Sequence, residues 1–578
     1  MRIGIFFGGP SREREISFAG GKTAFEHLDK TIFEPVPIFV DSFGRFIKVQ
    51  QDVLYKKEIR DFFLPVAPQS DGYRLYAESY PDLATADLPS EVGELLSPPQ
   101  FKQHFDFAFL AMHGPDCEDG AIQGLLEWYR IPYSGPGLMG SAVGIDKILQ
   151  NEMIALANGQ QKKMGVLTYT DWQSRDRNEV FAEIKDALGI PIVVKAPHQG
   201  SSIGVAIVQK DDFASFVKAI NQCFFQVELL ADEWMSFSNA DKQQWAQRLA
   251  NLDEGIGFPV VVNGEEIFHP QALIGVLDQR FAQGDIQVTV SSSNGEDQVL
   301  LETFVRGQEF SCGCLQLEDG TPLALPPTEV IKVVEVFDFN SKYKPGATRK
   351  RIPVDTTTEN NQKIREDIAL VFGRLGINVC ARIDGFLTPE GTVLLHDPNT
   401  IPGMSPTSLI FKQMAEIGLN VTQALTYFIR QSIRERIRTG KGTWALRKQL
   451  AELDEKIKGG VERILPQQGL LIKANDVGYK QAQREFGLIC AGGTLEPIPV
   501  LEINSGEYYK LPVQLMFKEY VEDVIQECRA ERDPVLVQTA QEGNSVTVFY
   551  AGTVDFSVKR INSLDGIEGI ESWIILGE

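Results

Sequence analysis

Short apolar runs alternate with helical patterns in the first third of the chain. Residues 2–7 (RIGIFF) and 107–112 (FAFLAM) are typical of buried β-strands, and a helical pattern follows each of them. This alternation predicts a parallel sheet with crossover helices. Ligands bind beyond the carboxyl ends of such strands, so we expect the loops at 8–15 and 113–120 to line a binding site.

The middle of the chain predicts two strands joined by a flexible loop, followed by an insertion. The run IPIVVK ends at Lys195, passes through HQGSSIG and resumes as VAIV, a pattern typical of a phosphate-binding flap. Mixed signals follow between residues 211 and 300, with helical spacing after 231 and a polar loop, SSSNGEDQ. We interpret residues 231–297 as an insertion.

Strands are predicted again between residues 300 and 400, where GFL and GTVLLHD should pair across the turn sequence TPEG. A helix should run from about 420 to 438, and TGKG marks a boundary after it. Beyond it, residues 444–458 have helical spacing, while the apolar alternation at 545–550 predicts a strand. We therefore expect residues 440–578 to fold separately as an accessory domain.

Composition narrows the class of protein. A chain of 578 residues is too long for one core, and 43% hydrophobic with 23% charged residues is typical of a folded globular protein. The net charge of −22 disfavours nucleic acid and anionic membranes as partners. The first apolar run is too short for a signal sequence, and no membrane span is predicted. Seven cysteines without a CxxC pair favour reduced thiols and a cytoplasmic location.

Six polar or glycine-containing motifs follow one another along the chain. Each is weak by itself, because such turns arise by chance in many proteins, but their order is specific. The motifs are GGPSRERE (8–15), HGPDCEDG (113–120), KAPHQGSSIG (195–204), KYKPG (342–346), ARIDGF (381–386) and HDPNTIPGMSPTSL (396–409). With this series, residues 1–431 resemble the D-alanine–D-alanine ligase family of the ATP-grasp superfamily.

The resemblance implies a multidomain α/β and α+β fold with an N-terminal parallel-sheet domain, a two-lobed ATP-grasp region and a C-terminal α+β extension. The expected divisions are a substrate-binding domain at 1–145, a central lobe at 146–310 that carries the insertion near 231–297, a catalytic lobe at 311–439 and an extension of unknown role at 440–578.

The activity implied by the resemblance is the ATP-dependent joining of two D-alanine molecules through an acyl phosphate, which yields ADP and phosphate. The family supplies peptidoglycan precursors, which implies a bacterial cytoplasmic protein, and a homodimer is a further implication. Two alternatives stay open: a ligase for another amino acid or a hydroxy acid, and a nucleotide-binding regulator without turnover. Tyr343 disfavours the D-lactate-using branch, which resembles this pattern but lacks that tyrosine.

Nucleotide binding requires cations for the triphosphate, and a lysine ammonium is a mobile point charge suited to phosphate. The resemblance assigns lysines to the phosphates and carboxylates to the adenosine, while Phe304 either packs against the base or is an ordinary strand-core residue. The nucleotide-binding residues implied are Lys147, Lys195, Lys342, Glu302, Glu309 and Phe304.

The resemblance also implies a magnesium site, with two Mg²⁺ ions and Mn²⁺ as a substitute. Asp384 on one strand and Asp397 with Asn399 on the next supply the hard oxygen ligands that Mg²⁺ prefers. Antiparallel pairing across TPEG should bring the two aspartates to neighbouring places on one face. The family usually has Glu where this chain has Asp397, and that departure keeps the regulator alternative open.

Catalysis in the family needs charge stabilisation rather than a covalent protein group. Lys195, Arg382 and the metal ions are expected to neutralise the transferred phosphoryl group. Arg382 and the backbone N–H of Gly403 should then stabilise the tetrahedral oxyanion formed when the second amine attacks.

Substrate positioning is implied for residues of four motifs. The resemblance places Glu13 at the ammonium group of the first substrate, with Ser201 and Tyr343 joining it when loops close and His113 nearby. The second substrate's carboxylate is expected at the Ser408–Leu409 pair, although Ser408 also suits a plain helix N-cap. Cys117 and Ala196 depart from the usual Gly and Lys, and neither change removes a reacting group.

Overall fold

The computed structural model describes residues 1–56, 58–62, 73–87, 92–332, 348–440, 442–504, 506–564, 567 and 569–577. Within these ranges, no helix combines the length and apolar character that a membrane crossing requires.

The N-terminal region is built on a five-stranded sheet in the order β4-β3-β2-β1-β5. Strands β1, β2 and β5 run parallel, as predicted, while β3 pairs antiparallel with β2 and β4 pairs antiparallel with β3. The crossover after β1 places α1 against the sheet, and a buried cluster of phenylalanines fills the core beneath it. The elements are β1 (Arg2–Gly8), α1 (Arg14–His27), β2 (Glu34–Val40), β3 (Phe46–Val49), β4 (Gly93–Leu96), α2 (Phe101–His104), β5 (Phe107–Leu110), α3 (Ala121–Trp128) and α4 (Leu138–Ile145).

The central lobe consists of an antiparallel sheet in the order β6-β13-β7-β8 and a second sheet inserted into it, β11-β10-β12-β9. The predicted strand–loop–strand unit is confirmed, because β7 and β8 pair antiparallel. An apolar cluster around Trp234 and Phe258 packs the residues of the insertion against Tyr73 and Ile203 from other parts of the chain. The elements are α5 (Lys147–Asn158), β6 (Met164–Thr168), α6 (Tyr169–Ser174), α7 (Arg177–Leu188), β7 (Ile192–Lys195), β8 (Val205–Val208), α8 (Phe213–Cys223), β9 (Gln226–Leu230), α9 (Ala231–Ser236), α10 (Asn239–Ala250), β10 (Val260–Val262), β11 (Glu265–Ile267), α11 (Pro270–Ala282), β12 (Gln287–Ser292) and β13 (Gln298–Thr303).

The third region carries a sheet in the order β17-β16-β14-β18-β19, with β15 pairing on β14. Its β18–β19 hairpin turns at the sequence TPEG, as predicted. The elements are β14 (Gln308–Gln316), β15 (Pro322–Ala324), β16 (Thr328–Lys332), β17 (Thr348–Arg351), α12 (Thr358–Arg374), β18 (Cys380–Leu387), β19 (Val393–Asn399), α13 (Leu409–Ala415) and α14 (Val421–Arg438).

The C-terminal extension forms a fifth sheet in the order β23-β22-β21-β20-β24, in which β20 runs parallel to both β21 and β24. Its elements are α15 (Thr443–Val461), β20 (Gln467–Lys473), α16 (Asp476–Gly492), β21 (Glu496–Asn504), β22 (Glu507–Lys510), α17 (Val521–Glu527), α18 (Pro534–Glu542), α19 (Asn544–Ala551), β23 (Lys559–Ile561) and β24 (Ile570–Leu576). Short 3₁₀ turns connect several of the elements above, at Gln51–Tyr55, Ile59–Phe62, Ala77–Ser79, Pro81–Ala84, Pro98–Gln100 and Val513–Phe517.

The strand predicted at 545–550 is wrong, because these residues lie in helix α19. The helix buries Val546, Thr547 and Tyr550 against α14 and α15, and the ring of Tyr550 meets that of Tyr427 edge-on at 5.7 Å. Tertiary burial of one helical face therefore outweighs the β-propensity of this apolar, β-branched run.

The packing also argues against an extension that separates at residue 440. Leu453, Ile457 and Tyr550 belong to the same buried cluster as Phe428 of α14 and the apolar residues of α1. Charged contacts reinforce this interface, since Arg430 binds Asp454 with 2.6 Å between Nε and Oδ1. The sheet that contains β20 buries two further apolar clusters, one around Leu470 and Tyr479 and one around Leu471 and Val500.

Candidate functional site

Residues of several motifs meet where the β18–β19 hairpin of the third region faces the β6-β13-β7-β8 sheet of the central lobe. Lys147 at the start of α5 links the two regions, because its Nζ lies 3.1 Å from Oδ1 of Asp397 on β19. The same ammonium group donates to the carbonyl of Gln199 in the flap between β7 and β8, at 2.6 Å. One buried lysine thus holds hairpin, helix and flap together.

Glu302 on β13 is a buried carboxylate held between two lysines. Its Oε1 lies 2.5 Å from Lys162 Nζ, and its Oε2 lies 2.7 Å from Lys195 Nζ. Asn151 donates a further hydrogen bond to Oε1 at 3.1 Å. Burial alone would raise the pKa of Glu302, but the two ammonium groups lower it far below its usual value, so the group is an anion. Lys162 was missed by sequence reasoning, because lysine in a polar run such as QQKK usually lies in solvent.

The next carboxylate along the chain, Glu309, lies on β14 and binds Lys332 of β16, with 2.5 Å between Oε2 and Nζ. Phe304 lies in the short link between β13 and β14, where its backbone N–H donates to the carbonyl of Pro191 and its side chain is half-buried. These two residues and Glu302 therefore border the groove between the two sheets.

The hairpin that carries the predicted metal ligands contains a β-bulge. Asp384 pairs with His396 across the hairpin, Arg382 pairs with Asn399, and Asp397 is the extra residue between them. Asp397 adopts a left-handed φ of 53°, which aspartate tolerates better than most residues. The bulge shifts the register by one residue, so Asp384 lies opposite His396, the residue before Asp397. Both still lie close enough to His396 to affect its charge.

The bulge gives the two aspartates different partners. Oδ1 of Asp384 accepts from Ser311 at 2.6 Å and from Nε of Arg382 at 3.2 Å. Asn399 donates its amide to the carbonyl of Asp397 at 2.8 Å, which fixes the bulge. In the described ranges, no cluster of three or more His, Cys, Asp or Glu side chains is suited to hold a metal ion by itself. Two carboxylates alone agree with the habit of Mg²⁺ in nucleotide sites, where phosphate and water complete the shell.

His396 lies among the charged residues of this groove, but its ring makes no polar contact with the described residues. The imidazole stacks on Phe386, with 5.2 Å between the ring centroids, and its nitrogens accept no hydrogen bond from the described residues. Burial, followed by the positive charges of Lys195 and Lys162, lowers the pKa of His396 to about 3. The ring is therefore neutral, and sequence reasoning passed over it inside a quoted motif.

Glu13 lies at the N-terminus of α1, beyond the carboxyl end of β1, as the strand pattern predicts. Its side chain is buried, and Oε2 accepts a short hydrogen bond from Ser201 of the flap. Oε1 has no hydrogen-bond partner among the described residues. Burial and the charge of Glu118 raise the pKa of Glu13. A buried carboxylate oxygen without a donor is suited to receive the ammonium group of a ligand.

The flap approaches Glu13 at a glycine. A Cβ added to Gly200 would lie 2.4 Å from Oε1 of Glu13, so no larger residue fits without moving the flap. His113 lies within electrostatic reach of Glu13, with 3.7 Å between its Nδ1 and Oε2 of Glu118. Burial would lower the pKa of His113, but the carboxylate of Glu118 raises it.

Ser408, Leu409 and Gly403 lie in the loop that leads into α13. Ser408 is the N-cap residue, but its hydroxyl caps no backbone N–H and instead lies 2.9 Å from the hydroxyl of Ser405. A Cβ on Gly403 would come within 3.3 Å of that Ser408 hydroxyl. The plain N-cap interpretation of Ser408 therefore has no support from a hydrogen bond.

A second charged clamp holds the flap, and sequence reasoning missed it. His198 lies 2.7 Å from Oε2 of Glu296 through Nδ1 and 3.8 Å from Oδ2 of Asp146 through Nε2. Both carboxylates raise the pKa of His198 to about 10, so its imidazolium is charged at neutral pH. The sequence around His198 does not predict this clamp, because its carboxylate partners Asp146 and Glu296 lie far away along the chain.

The structure thus brings most of the described site residues to one groove. Two further predicted residues lie outside the described part of the chain. Lys342 and Tyr343 belong to residues 333–347, of which nothing is described. The departure at Cys117 is accommodated, because its buried thiol contacts Gly9, where an added Cβ would lie 2.5 Å from the sulfur.

Comparison with known families matches most of the chain. The family model described as D-ala D-ala ligase N-terminus matches residues 2–136, and the one described as D-ala D-ala ligase C-terminus matches residues 153–226 and 223–430. The chain belongs to the D-alanine–D-alanine ligase family. The resemblance predicted from the motifs is confirmed, as are the fold class and an ADP-forming ligase activity.

Two curated relatives and one solved structure are similar to between 71% and 75% of this chain. The D-alanine–D-alanine ligase of Geobacillus kaustophilus is 26% identical over 71% of this chain and 88% of its own length. That of Bacillus cytotoxicus is 26% identical over 75% of this chain and 96% of its own. Among solved structures, the VanG D-Ala:D-Ser ligase of Enterococcus faecalis is 20% identical, covers 75% of this chain and 99% of that one, and superposes with a TM-score of 0.48.

Proposed function

We propose that the groove between the central and third regions binds ATP and two D-alanine molecules and joins the two D-alanine molecules through an acyl phosphate. The observation that carries the proposal is the clustering of charge: Lys147 binds Asp397, and Lys162 and Lys195 bind Glu302. His396 lies within electrostatic reach of Lys162, Lys195 and both aspartates, and Glu13 binds Ser201 of the flap.

Binding of ATP would rearrange the lysine–carboxylate pairs. The γ-phosphate is the natural partner of Lys195 and Lys147, whose present partners Glu302 and Asp397 then become available to adenosine and to metal. Mg²⁺ fits the oxygen atoms of Asp384, Asp397 and Asn399, and when bound it neutralises phosphate charge; two ions, or Mn²⁺ in their place, agree with the same ligands. Glu309 and Phe304 then border the ribose and base.

The first D-alanine is oriented by its ammonium group. The unpartnered Oε1 of Glu13 accepts that group, and His113 closes the subsite beside Glu118. The substrate carboxylate then points to the lysine-rich end, where its oxygen attacks the γ-phosphate in line and ADP leaves. Ser201, already bonded to Glu13, keeps the flap closed over the acyl phosphate and excludes water.

The second D-alanine supplies the amine. Its carboxylate is held by the Ser408 hydroxyl, which caps no backbone N–H and is bonded to Ser405, and by the backbone N–H of Leu409, which places the amine opposite the acyl carbon. Attack by the neutral amine gives an oxyanion that the guanidinium of Arg382 and the N–H of Gly403 stabilise. The carbonyl then re-forms, the C–O bond to phosphate breaks, and the phosphate leaves with the proton that the amine gives up. Tyr343 and Lys342 complete the closed site in this proposal.

The test is substrate-dependent ADP release, with ATP and Mg²⁺ and with D-alanine, L-alanine or D-lactate as the acceptor. The proposal predicts turnover with D-alanine alone and formation of D-alanyl-D-alanine, identified by mass spectrometry. Turnover that prefers D-lactate or another acid would establish the alternative ligase, and nucleotide binding without ADP release would establish the regulator. A bacterial cytoplasmic location, a homodimer, and the absence of membrane or nucleic-acid partners belong to the same proposal.

A further inference from the structure

A cavity of about 660 Å³ lies where the C-terminal extension meets helix α1 and the third region. Helix α1 and helix α16 form two of its walls, and the loop at Pro406–Thr407 and the segment 516–520 form the others. Residues assigned above to ATP or to the first D-alanine are absent from its lining within the described part of the chain. The cavity is therefore separate from the groove, although Thr407 directly precedes Ser408.

The cavity is basic in an acidic protein. Its lining carries six cations against two carboxylates, a local charge of 6 − 2 = +4 in a chain of net charge −22. Burial lowers the pKa of His27, so that lining residue adds no charge at neutral pH. The cations are Lys22, Lys350, Lys412, Lys480, Arg484 and Lys518, and the carboxylates are Glu26 and Glu519.

Two of the six cations have protein partners. Lys518 lies 3.3 Å from Glu416 and 2.5 Å from Glu527, and Lys350 lies 3.7 Å from Glu519. The other four, on α1, α13 and α16, make no ion pair within the described ranges. Mutual repulsion among them disfavours the cavity as a merely structural feature.

Of these four cations, Lys412 is the one that is buried. It is only 7% exposed, lies on α13 one helical turn after Ser408, and lines the cavity without a hydrogen bond or ion pair from the described residues. Burial lowers the pKa of Lys412 to about 8. On the same cavity, Oε2 of Glu519 is buried and has no donor among the described residues. The carboxylate of Glu519 attracts Lys412 and pairs with Lys350 through Oε1. The Lys412 ammonium group and the buried Oε2 nevertheless have no hydrogen bond from the described residues, which costs free energy unless a ligand supplies one.

We propose that this cavity binds a small anion whose phosphate or carboxylate group contacts Lys412 and whose neighbouring ammonium or hydroxyl group donates to Glu519. The volume lies in the range of small-molecule sites. The exposed Lys480 and Arg484 of α16, together with Lys22, attract such a ligand at the cavity mouth. Since α13 carries both Lys412 and the Ser408 end of the second-substrate subsite, occupancy alters that subsite; this last step rests on the proposed function.

Binding is tested by calorimetry on the full chain with two probes, O-phospho-L-serine and L-glutamate, after the groove has been saturated with a non-hydrolysable ATP analogue and Mg²⁺. Both probes carry an ammonium group, so tighter binding of the first identifies a phosphate ligand and tighter binding of the second a carboxylate ligand. Lys412→Met should weaken binding of the preferred probe at least tenfold. Lys185→Met, which removes a surface lysine paired with Asp211, is the control and should leave binding unchanged.

The proposal is overturned if neither probe binds at about 10 mM, or if Lys412→Met binds as tightly as the parent protein. Lys412→Met removes a buried charge that has no hydrogen bond, so it should not lower Tm. If this variant nevertheless fails to fold, the double variant Lys480→Met, Arg484→Met provides the same test. Because these two side chains are exposed, the expected loss of affinity is about threefold. Finally, the preferred probe should shift the KM for the second D-alanine in the parent protein and not in Lys412→Met. Because the calorimetry needs no turnover, a failed ligase assay and a failed anion site are told apart.

Discussion

The carboxylate of Glu302 between Lys162 and Lys195 offers the sharpest test of the site's electrostatics. Glu302→Gln keeps the shape of the side chain and removes the negative charge that two buried ammonium groups share. Breaking a buried ion pair by removing one partner costs about 3–5 kcal/mol, because the other charge stays buried without compensation. Here two charges lose their partner, and we expect the upper part of that range.

A double-mutant cycle separates the interaction from other effects. Lys162→Met alone leaves Glu302 bound to Lys195, and we expect it to cost about 1–3 kcal/mol. In the double variant, removing Lys162 also removes one of the two uncompensated cations, so its cost should be about 2 kcal/mol smaller than the sum of the single variants. Hydrogen exchange of peptides that cover Gln298–Thr303 reports the local free energy of opening without requiring two-state unfolding of the whole chain.

The pH dependence has a definite sign. The pKa of Glu302 is lowered in the folded protein, so its contribution to stability is present above its unfolded pKa and is lost as pH falls toward the folded value. The local free energy of opening at Gln298–Thr303, taken from exchange rates corrected for the intrinsic pH dependence of amide exchange, should therefore fall on acidification in the parent protein and much less in Glu302→Gln. Additive single variants, or equal acid sensitivity of both proteins, would refute the electrostatic reasoning.

Four further outcomes are expected. Asp384→Asn should lower ADP release by several orders of magnitude with an unchanged circular dichroism spectrum, and near-normal turnover would mean that the metal ligand is misassigned. Asp397→Glu, which introduces the usual family residue at the bulge, should keep or raise kcat, and a collapse of kcat would show that the bulge demands the shorter side chain. Gly200→Ala should raise the KM for the first D-alanine about tenfold or more with little change in the KM for ATP, because the added Cβ would overlap Glu13. Equal effects on the two KM values would contradict the proposed subsite. Truncation after Thr439 should yield an insoluble product in a sedimentation assay beside the intact chain, since it strips the helices that complete a shared core, and a soluble, active truncated protein would restore the separable extension.

The sequence by itself determined the elements whose local pattern and tertiary role agree. The strands at 2–7 and 107–112, the helix at 420–438 and the hairpin at TPEG follow from apolar periodicity and turn chemistry. The order of the motifs also determined the family, because each motif preserves a chemical requirement at its own place in the chain.

Only the tertiary structure decided the features that depend on partners distant in sequence. The β-bulge at Asp397 shifts the hairpin by one residue, which no alternation pattern reveals. The ion pairs of Glu302 with Lys162 and of His198 with Glu296 join residues about 100 or more positions apart, and each residue alone looks like a solvated side chain. Likewise, residues 545–550 form a helix because burial against α14 and α15 outweighs local propensity. Local sequence sets the preferences of short segments, whereas register, burial and charge pairing are set by the free energy of the whole packed chain.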